Sequence, residues 1–248
     1  MNQLKKPAQN LSVTVISDNN PYEEGLETAW GFSALIKGAG KTILFDTGID
    51  GTILLKNMEK LNIDPKEVDI VVLSHIHGDH VGGLKSFLEK NPNVTVYVLK
   101  SFPADFKKDV ENFGTKVVEI KEAFKICENV YSAGELGILI KEQSLIVQTD
   151  NGLIVITGCA HPDIIKIVEK AKEVVQDDVL LVMGGFHLRD ESEGEIKKII
   201  SSFRKLGIRF TAPCHCTGDL ARQLFERGYH ENFILAGVGK VISMEDLK

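Results

Sequence analysis

Val68-Asp69-Ile70-Val71-Val72-Leu73 runs directly into Ser74-His75-Ile76-His77-Gly78-Asp79-His80, and the junction decides how the rest of the chain is read. The first piece is short, rich in β-branched residues and preceded by the turn-forming Asp64-Pro65. Those are the marks of a strand buried on both faces of an α/β sheet. The second piece therefore sits at the carboxyl end of a strand, where open α/β sheets place their sites. In a roughly extended backbone His75 and His77 project to one side, because side chains alternate with period two. A turn at Gly78 then returns Asp79 and His80 towards a second position nearby. Two adjacent metal positions are expected, one rich in imidazole nitrogen and one mixing oxygen with nitrogen. A single histidine after a strand is ordinarily solvated or hydrogen-bonded. Three histidines and an aspartate within six residues, with an amphipathic stretch following, are hard to explain as packing.

The flanking sequence reads as two mixed halves. Leu11 to Ser17 alternates apolar and polar residues as a half-buried strand does. Strands at 32–36 and 42–45 are joined by the glycine-containing Gly38–Lys41 connection, and the second ends in Asp46-Thr47-Gly48. Residues 51–61 carry a helical period. Beyond the histidine stretch the pattern predicts helices over 81–88 and 103–112 and strands over 94–99 and 116–120. Short strands follow through 125–157, including 144–148 and 153–157 about a turn at Asp150-Asn151-Gly152. Helix then alternates with strand: helix 162–175, strand 178–183, helix 191–205, strand 208–212, helix 217–227, with Gly207 and Gly228 where C-caps are wanted. This order fits one domain over 1–248 with two αβ halves, about 1–150 and 151–248. The expected fold is α/β (α+β), a four-layer αββα sandwich with two sheets face to face and helices outside.

Composition narrows the function classes. Hydrophobic content of 43% and charged content of 26% are ordinary for a globular chain. A net charge of −6 gives no electrostatic support for a nucleic-acid partner, while a local basic pocket for a small anionic substrate remains compatible with it. Met1 to Asn10 is polar, no signal-peptide core follows before Asp18, and no run approaches the ~18 apolar residues of a membrane span. A soluble, cytoplasmic protein without membrane partners is expected. Cys127, Cys159, Cys214 and Cys216 are too few and too unevenly spaced for a disulfide framework and read as thiols.

Three further histidines follow strands through small or rigid residues: His161 after Gly158-Cys159-Ala160, His187 after Gly184-Gly185-Phe186, and His215 after Pro213-Cys214. Each alone is more often structural. Together with His75, His77 and His80 they leave only His230 outside the pattern.

SHIHGDH, with GCAH at Gly158–His161, GGFH at Gly184–His187 and PCHC at Pro213–Cys216, resembles the dinuclear metal signature of the metallo-β-lactamase-fold superfamily. More narrowly the chain is similar, over about residues 28–240, to the subfamily named for 7,8-dihydropterin-6-methyl-4-(β-D-ribofuranosyl)aminobenzene 5′-phosphate synthase. The resemblance implies the αββα sandwich with two divalent metal ions at one edge, zinc first and manganese, iron or nickel as alternatives. His75 and His77 would serve the first ion, and Asp79, His80 and His215 the second. Asp46 matches the first-motif aspartate, which would accept a hydrogen bond from a ligand imidazole. Most of the superfamily carries a third-motif histidine and then a strand ending in Gly-Asp, whose aspartate bridges both metals. Here Cys159-Ala160-His161 follows that strand, and no histidine lies between His80 and His161. His161 is therefore the ligand expected for the first metal, and Cys159 is either a rival for the bridging role or a small buried turn residue. His187 is cast as a substrate-facing acid or phosphate contact, Asp79 as the group that positions water, and Arg189 as an aid to an anionic substrate or a solvated charge.

Two enzyme readings follow. One is a synthase in which the metals hold a diphosphate leaving group of a dihydropterin while an aminobenzene nucleophile attacks. The other is a hydrolase, a phosphodiesterase, esterase or lactonase, that uses metal-bound hydroxide. A metal-containing redox or binding protein ranks behind both, because His77 is intact and no flavin domain accompanies the chain.

Overall fold

A computed structural model describes residues 11–248; the polar tail read at Met1–Asn10 lies outside them. The continuous apolar runs of the sequence become strands buried on both faces. β1 (Ser12–Ser17), β2 (Ser33–Lys37) and β3 (Ile43–Phe45) form an antiparallel meander. Helix α1 (Gly51–Lys60) then carries the chain across so that β4 (Ile70–Val72) lies parallel to β3. Its first turn is capped by Asp50, whose carboxylate accepts from Thr52 and Ile53 N–H. The short α2 (Gly78–Val81) and α3 (Leu84–Lys90) precede β5 (Thr95–Leu99), and α4 (Ala104–Glu111) precedes β6 (Lys116–Ile120), both added parallel.

β7 (Phe124–Cys127), β8 (Val130–Ser132), β9 (Leu145–Thr149) and β10 (Gly152–Thr157) zigzag antiparallel. Two crossovers follow, α5 (Ile164–Val175) to β11 (Val179–Gly185) and α6 (Glu193–Lys205) to β12 (Phe210–Cys214), both parallel. Helix α7 (Asp219–Tyr229) leads to β13 (Val241–Ser243), which returns to pair with β1. One sheet runs β13-β1-β2-β3-β4-β5-β6 and the other β12-β11-β10-β9-β8-β7.

Alternation along each strand builds the layers. Val13, Phe45 and Val72 of the first sheet meet Ile156, Met183 and Ala212 of the second in a shared core. On the first sheet's other face Leu44 and Val71 pack under Leu54 and Met58 of α1 and Phe87 of α3. On the second sheet's other face Val155 and Val182 pack under Ile167 of α5, Phe203 of α6 and Phe225 of α7. The result is the four-layer αββα sandwich.

Two local expectations are corrected. The helix expected over 81–88 is two helices separated by Gly82 and Gly83, where added Cβ atoms would lie 2.2 Å from the carbonyl oxygens of Ile49 and Thr47. Gly228 is not a C-cap but lies inside α7, where a Cβ would stand 2.9 Å from Ile200 Cγ2, so its bare backbone lets α6 and α7 approach. Among the described residues no helix is long and apolar enough to cross a membrane.

Candidate metal centre

The polar loops after β3, β4, β10, β11 and β12 gather at one end of the two sheets, and each brings a different side chain. His75 and His77 follow β4, while Asp79 and His80 stand in α2. Cys159 and His161 follow β10, His187 follows β11, and His215 follows β12. All the metal-capable residues read from the sequence therefore arrive in one place. Their atoms fall into three overlapping sets, each with all members within 4.8 Å: His75, His77 and His161; Asp79, His80, Cys159 and His215; and Cys159, His161 and His187. The last set shows that His187 is nearer to the ligand cluster than its expected substrate-facing position implies.

Hydrogen bonds behind the rings fix which nitrogen faces forward. His80 Nδ1 donates to Asp46 Oδ2 at 2.7 Å, both groups fully buried, which leaves Nε2 as the free lone pair. Ser74 Oγ donates to the same oxygen at 2.6 Å and accepts from His75 Nδ1 at 2.9 Å, so His75 also presents Nε2. Asn19 Oδ1 takes the Nδ1 proton of His215 at 3.0 Å. Such outer partners set the tautomer and basicity of a ligand imidazole.

The forward atoms are spaced as a cation would space them. His75 Nε2 lies 3.1 Å from His77 Nδ1, and Asp79 Oδ2 lies 3.4 Å from His215 Nε2 and 3.7 Å from His80 Nε2. Two nitrogen ligands at about 2.0–2.1 Å on a tetrahedral ion stand about 3.3 Å apart. Cys159 Sγ is 3.2 Å from His80 Nε2. The Nε2 atoms of His161 and His215 are buried and without any hydrogen-bond partner, one in each of the first two sets. Orphaned buried nitrogens are costly. A divalent cation in each set would satisfy them, so the residues present fit the group.

The electrostatics of the metal-free centre divide the imidazoles, holding His75 and His161 neutral and favouring the charged form at His80 and His187. Burial, reinforced by the surrounding imidazoles, drives the His75 pKa far below the usual histidine range, and burial with His187 and His77 holds His161 at about 4. Burial works against ionisation of Asp79, yet His215 and His80 outweigh it and keep its carboxyl below the usual range. Burial also opposes the imidazolium of His80, but the Asp46 carboxylate prevails and raises its pKa. His187 is raised chiefly by a hydrogen bond with Cys216, whose thiol is lowered in turn by Cys159 and His187.

Several supporting residues had no signature in the sequence. Glu142, fully buried, accepts from the backbone N–H groups of Cys159, Ala160 and His161, each at 2.9 Å, and so shapes the turn that presents Cys159 and His161. Gln143 Nε2 donates to Leu73 O at 2.8 Å, tying that segment to the end of β4. Asp18 accepts from His215 N–H at 3.1 Å. Asp46, Ala160, His187 and His215 all hold positive φ, a backbone strain gathered at this one place. Of the two cysteines that flank His215, Cys214 is wholly buried, whereas Cys216 places its thiol 3.6 Å from Cys159 O. Two cavities open beside the centre. One, of about 310 Å³, is lined by Trp30, His187, Arg189, Asp190, Glu191 and Cys216. The other, of about 470 Å³, lies between His161, Lys166 and the 136–140 loop, whose Ile138 and Leu139 stand in solvent.

The chain resembles known proteins in sequence and in fold. The sequence model of the metallo-beta-lactamase superfamily matches residues 31–173. The chain is 29% identical to 7,8-dihydropterin-6-methyl-4-(beta-D-ribofuranosyl)-aminobenzene-5′-phosphate synthase of Methanocaldococcus jannaschii, covering 92% of this chain and 95% of that protein. A solved structure described as a metal-dependent hydrolase of the beta-lactamase superfamily is 31% identical and superposes with a TM-score of 0.78, covering 94% of this chain and 98% of the other. A diphosphatase of the PhnP family, 16% identical with a TM-score of 0.64 over 95% of this chain and 97% of its own, shares the fold.

Proposed function

The chain belongs to the metallo-beta-lactamase superfamily, and on that footing we propose that it is a metal-dependent enzyme with two adjacent divalent cations, zinc foremost, acting on a phosphorylated or pterin-type small molecule. The observation that carries this reading is the pair of converging donor sets, each holding one buried imidazole nitrogen that makes no hydrogen bond. His75, His77 and His161 would hold the first cation, and Asp79, His80 and His215 the second. Cys159 Sγ belongs to the second set and also to the one containing His161 and His187, which makes it the candidate shared ligand. When bound, two such cations lower the pKa of a water and neutralise charge on a phosphoryl or leaving group.

The chain's own residues supply the rest. Asp79 Oδ2, aimed between His80 and His215, orients a nucleophile at the second position. His187 sits at the wall of a cavity, and its hydrogen bond with Cys216 raises its pKa, which suits it to donate a proton to a departing oxygen. The sandwich core beneath the loops buries the rings of His75, His80 and His215, keeping those donors fixed. Similarity to the synthase over nearly the whole of both chains favours chemistry of that class. A hydrolase is the second reading, favoured by the 31% identical metal-dependent hydrolase.

Elemental analysis of wild type, His75→Ala and His161→Ala, with bis(p-nitrophenyl) phosphate turnover run alongside, tests the proposal. About two equivalents of metal in wild type, reduced in both variants, are expected for a two-metal site. Turnover would favour the hydrolase, and its absence alongside bound metal the synthase-type chemistry. Wild-type protein that takes up no divalent metal would overturn the reading.

A further inference from the structure

Trp30 is the chain's only tryptophan, and it stands 41% exposed at the mouth of the site. Its position is built. Next to it Gly31 holds φ +135 and passes so close to the α2 loop that a Cβ there would lie 2.4 Å from Asp79 O, while Phe32 N–H donates to that same oxygen at 3.2 Å. The indole leans on the His215 ring at 5.1 Å between centroids, and the Arg189 guanidinium lies over the indole at 5.2 Å from the ring centroid. Arg189 is pinned in turn: Gly218, at φ +80, comes so near that a Cβ would lie 2.7 Å from Arg189 Cα. Two glycine approaches thus hold the backbone on either side of an aromatic ring and a cation that share one cavity of about 310 Å³, lined also by His187 and Cys216.

The wall's polar groups are largely unspent. The Arg189 side chain is 58% exposed, and its ion-pair contact among the described residues is with Asp190 at 3.7 Å, itself 92% exposed. A guanidinium in that state can grip a carboxylate or phosphate through two parallel N–H bonds while lying on an aromatic face. Asp190 and Glu191, on the same cavity, accept hydrogen bonds and repel a bare polyanion, so they suit ring N–H or amino donors. Resting on the metal-dependent reading above, we propose that Trp30 and Arg189 form a substrate subsite for a planar aromatic ring that carries N–H donors and one anionic group. The ring lies against the indole, the anion meets Arg189, and the reacting atoms reach the cluster past His187. An aliphatic phosphodiester has no use for such a wall.

The sole tryptophan makes the subsite directly observable. Zinc-loaded full-length protein is titrated with pterin-6-carboxylate, a planar donor-bearing anion, and separately with inorganic pyrophosphate, while Trp30 emission is followed. Saturable quenching by the pterin and none by pyrophosphate is expected. Arg189→Ala should weaken the pterin about tenfold, and Trp30→Ala, read from the pterin's own anisotropy, by at least as much, with Trp30→Phe between wild type and Trp30→Ala. Zinc content measured on the same samples separates the two readings. Protein that holds zinc yet shows no pterin quenching, or equal pterin affinity in wild type and Arg189→Ala, overturns the subsite and leaves the metal centre standing. Wild-type protein that holds no zinc overturns the metal-dependent reading itself.

Discussion

His80 Nδ1 and Asp46 Oδ2 lie 2.7 Å apart in complete burial, and the same carboxylate takes the Ser74 hydroxyl that backs His75. One aspartate therefore orients an imidazole in each of the two donor sets. Asp46→Asn keeps the shape and the tolerance for positive φ but offers an amide where a carboxylate stood. Metal affinity is expected to fall about 10–100-fold, the usual cost of losing an outer partner. Competition of the loaded protein with a chromogenic chelator measures it, and an unchanged affinity would refute the role.

Cys159 makes a spectroscopic prediction. If its thiolate is a ligand, protein loaded with cobalt(II) shows a near-ultraviolet sulfur-to-metal charge-transfer band that Cys159→Ser abolishes, while Cys127→Ser leaves it intact. Removing the sulfur should also erode any preference for zinc over manganese. A band of unchanged intensity in Cys159→Ser would remove the cysteine from the ligand set.

The metal-free protein should be acid-sensitive through its imidazoles. His161 titrates at about 4 in the folded chain and His75 lower still, whereas an unfolded histidine takes its proton near pH 6.5. Between these values the unfolded state binds more protons, so stability rises with pH through that window and is lost as pH falls from 6.5 towards 4. Urea midpoints of the apo protein across this range should slope upward with pH. The slope should flatten in His161→Gln and His75→Gln.

Glu142→Gln replaces a three-fold acceptor with a side chain that points at least one donor at the 159–161 amides. A buried N–H without a partner costs about 1–3 kcal/mol. Urea denaturation should show a loss of that size, and elemental analysis a lower metal content, because the same turn presents Cys159 and His161.

Phe203→Ala gives the opposite pattern. The ring sits between Phe186 and Phe225 at centroid distances of 5.7 and 5.4 Å, on the helix-covered face of the second sheet. A loss of about 3–5 kcal/mol is expected, with metal stoichiometry unchanged in the protein that remains folded at low temperature.

The first donors were legible because local periodicity alone places them: a strand ending at Leu73 and a turn at Gly78 suffice to aim four side chains. Asp46 was legible only through its match to the first-motif aspartate, since Asp46-Thr47-Gly48 by itself reads equally as a turn. His161, His187 and His215 could be read only as a recurrent strand-then-histidine pattern, since nothing local says that three loops more than twenty residues apart converge. Glu142, Asn19 and Asp18 were invisible. Each acts across the fold, with Asn19 meeting His215 at a separation of 196 residues, and a lone polar residue in a loop looks the same whether it is solvated or buried against a backbone amide. Trp30 lay in a polar stretch with no period, and its neighbours Arg189 and His215 are distant in sequence. Helix 81–88 was misplaced because tertiary contact at Gly82 and Gly83 overrides helix propensity.

The donors come from both sheets: His75, His77, Asp79 and His80 from the loop after β4, and Cys159, His161 and His215 from those after β10 and β12. Neither layer owns a whole site. Loaded with metal, the centre would act as a rivet through the seam between two slabs whose shared core is apolar. The apolar contacts of that core carry no direction, whereas donor atoms drawn from both slabs must converge on one point. The oily core holds the slabs together, and the rivet sets their register.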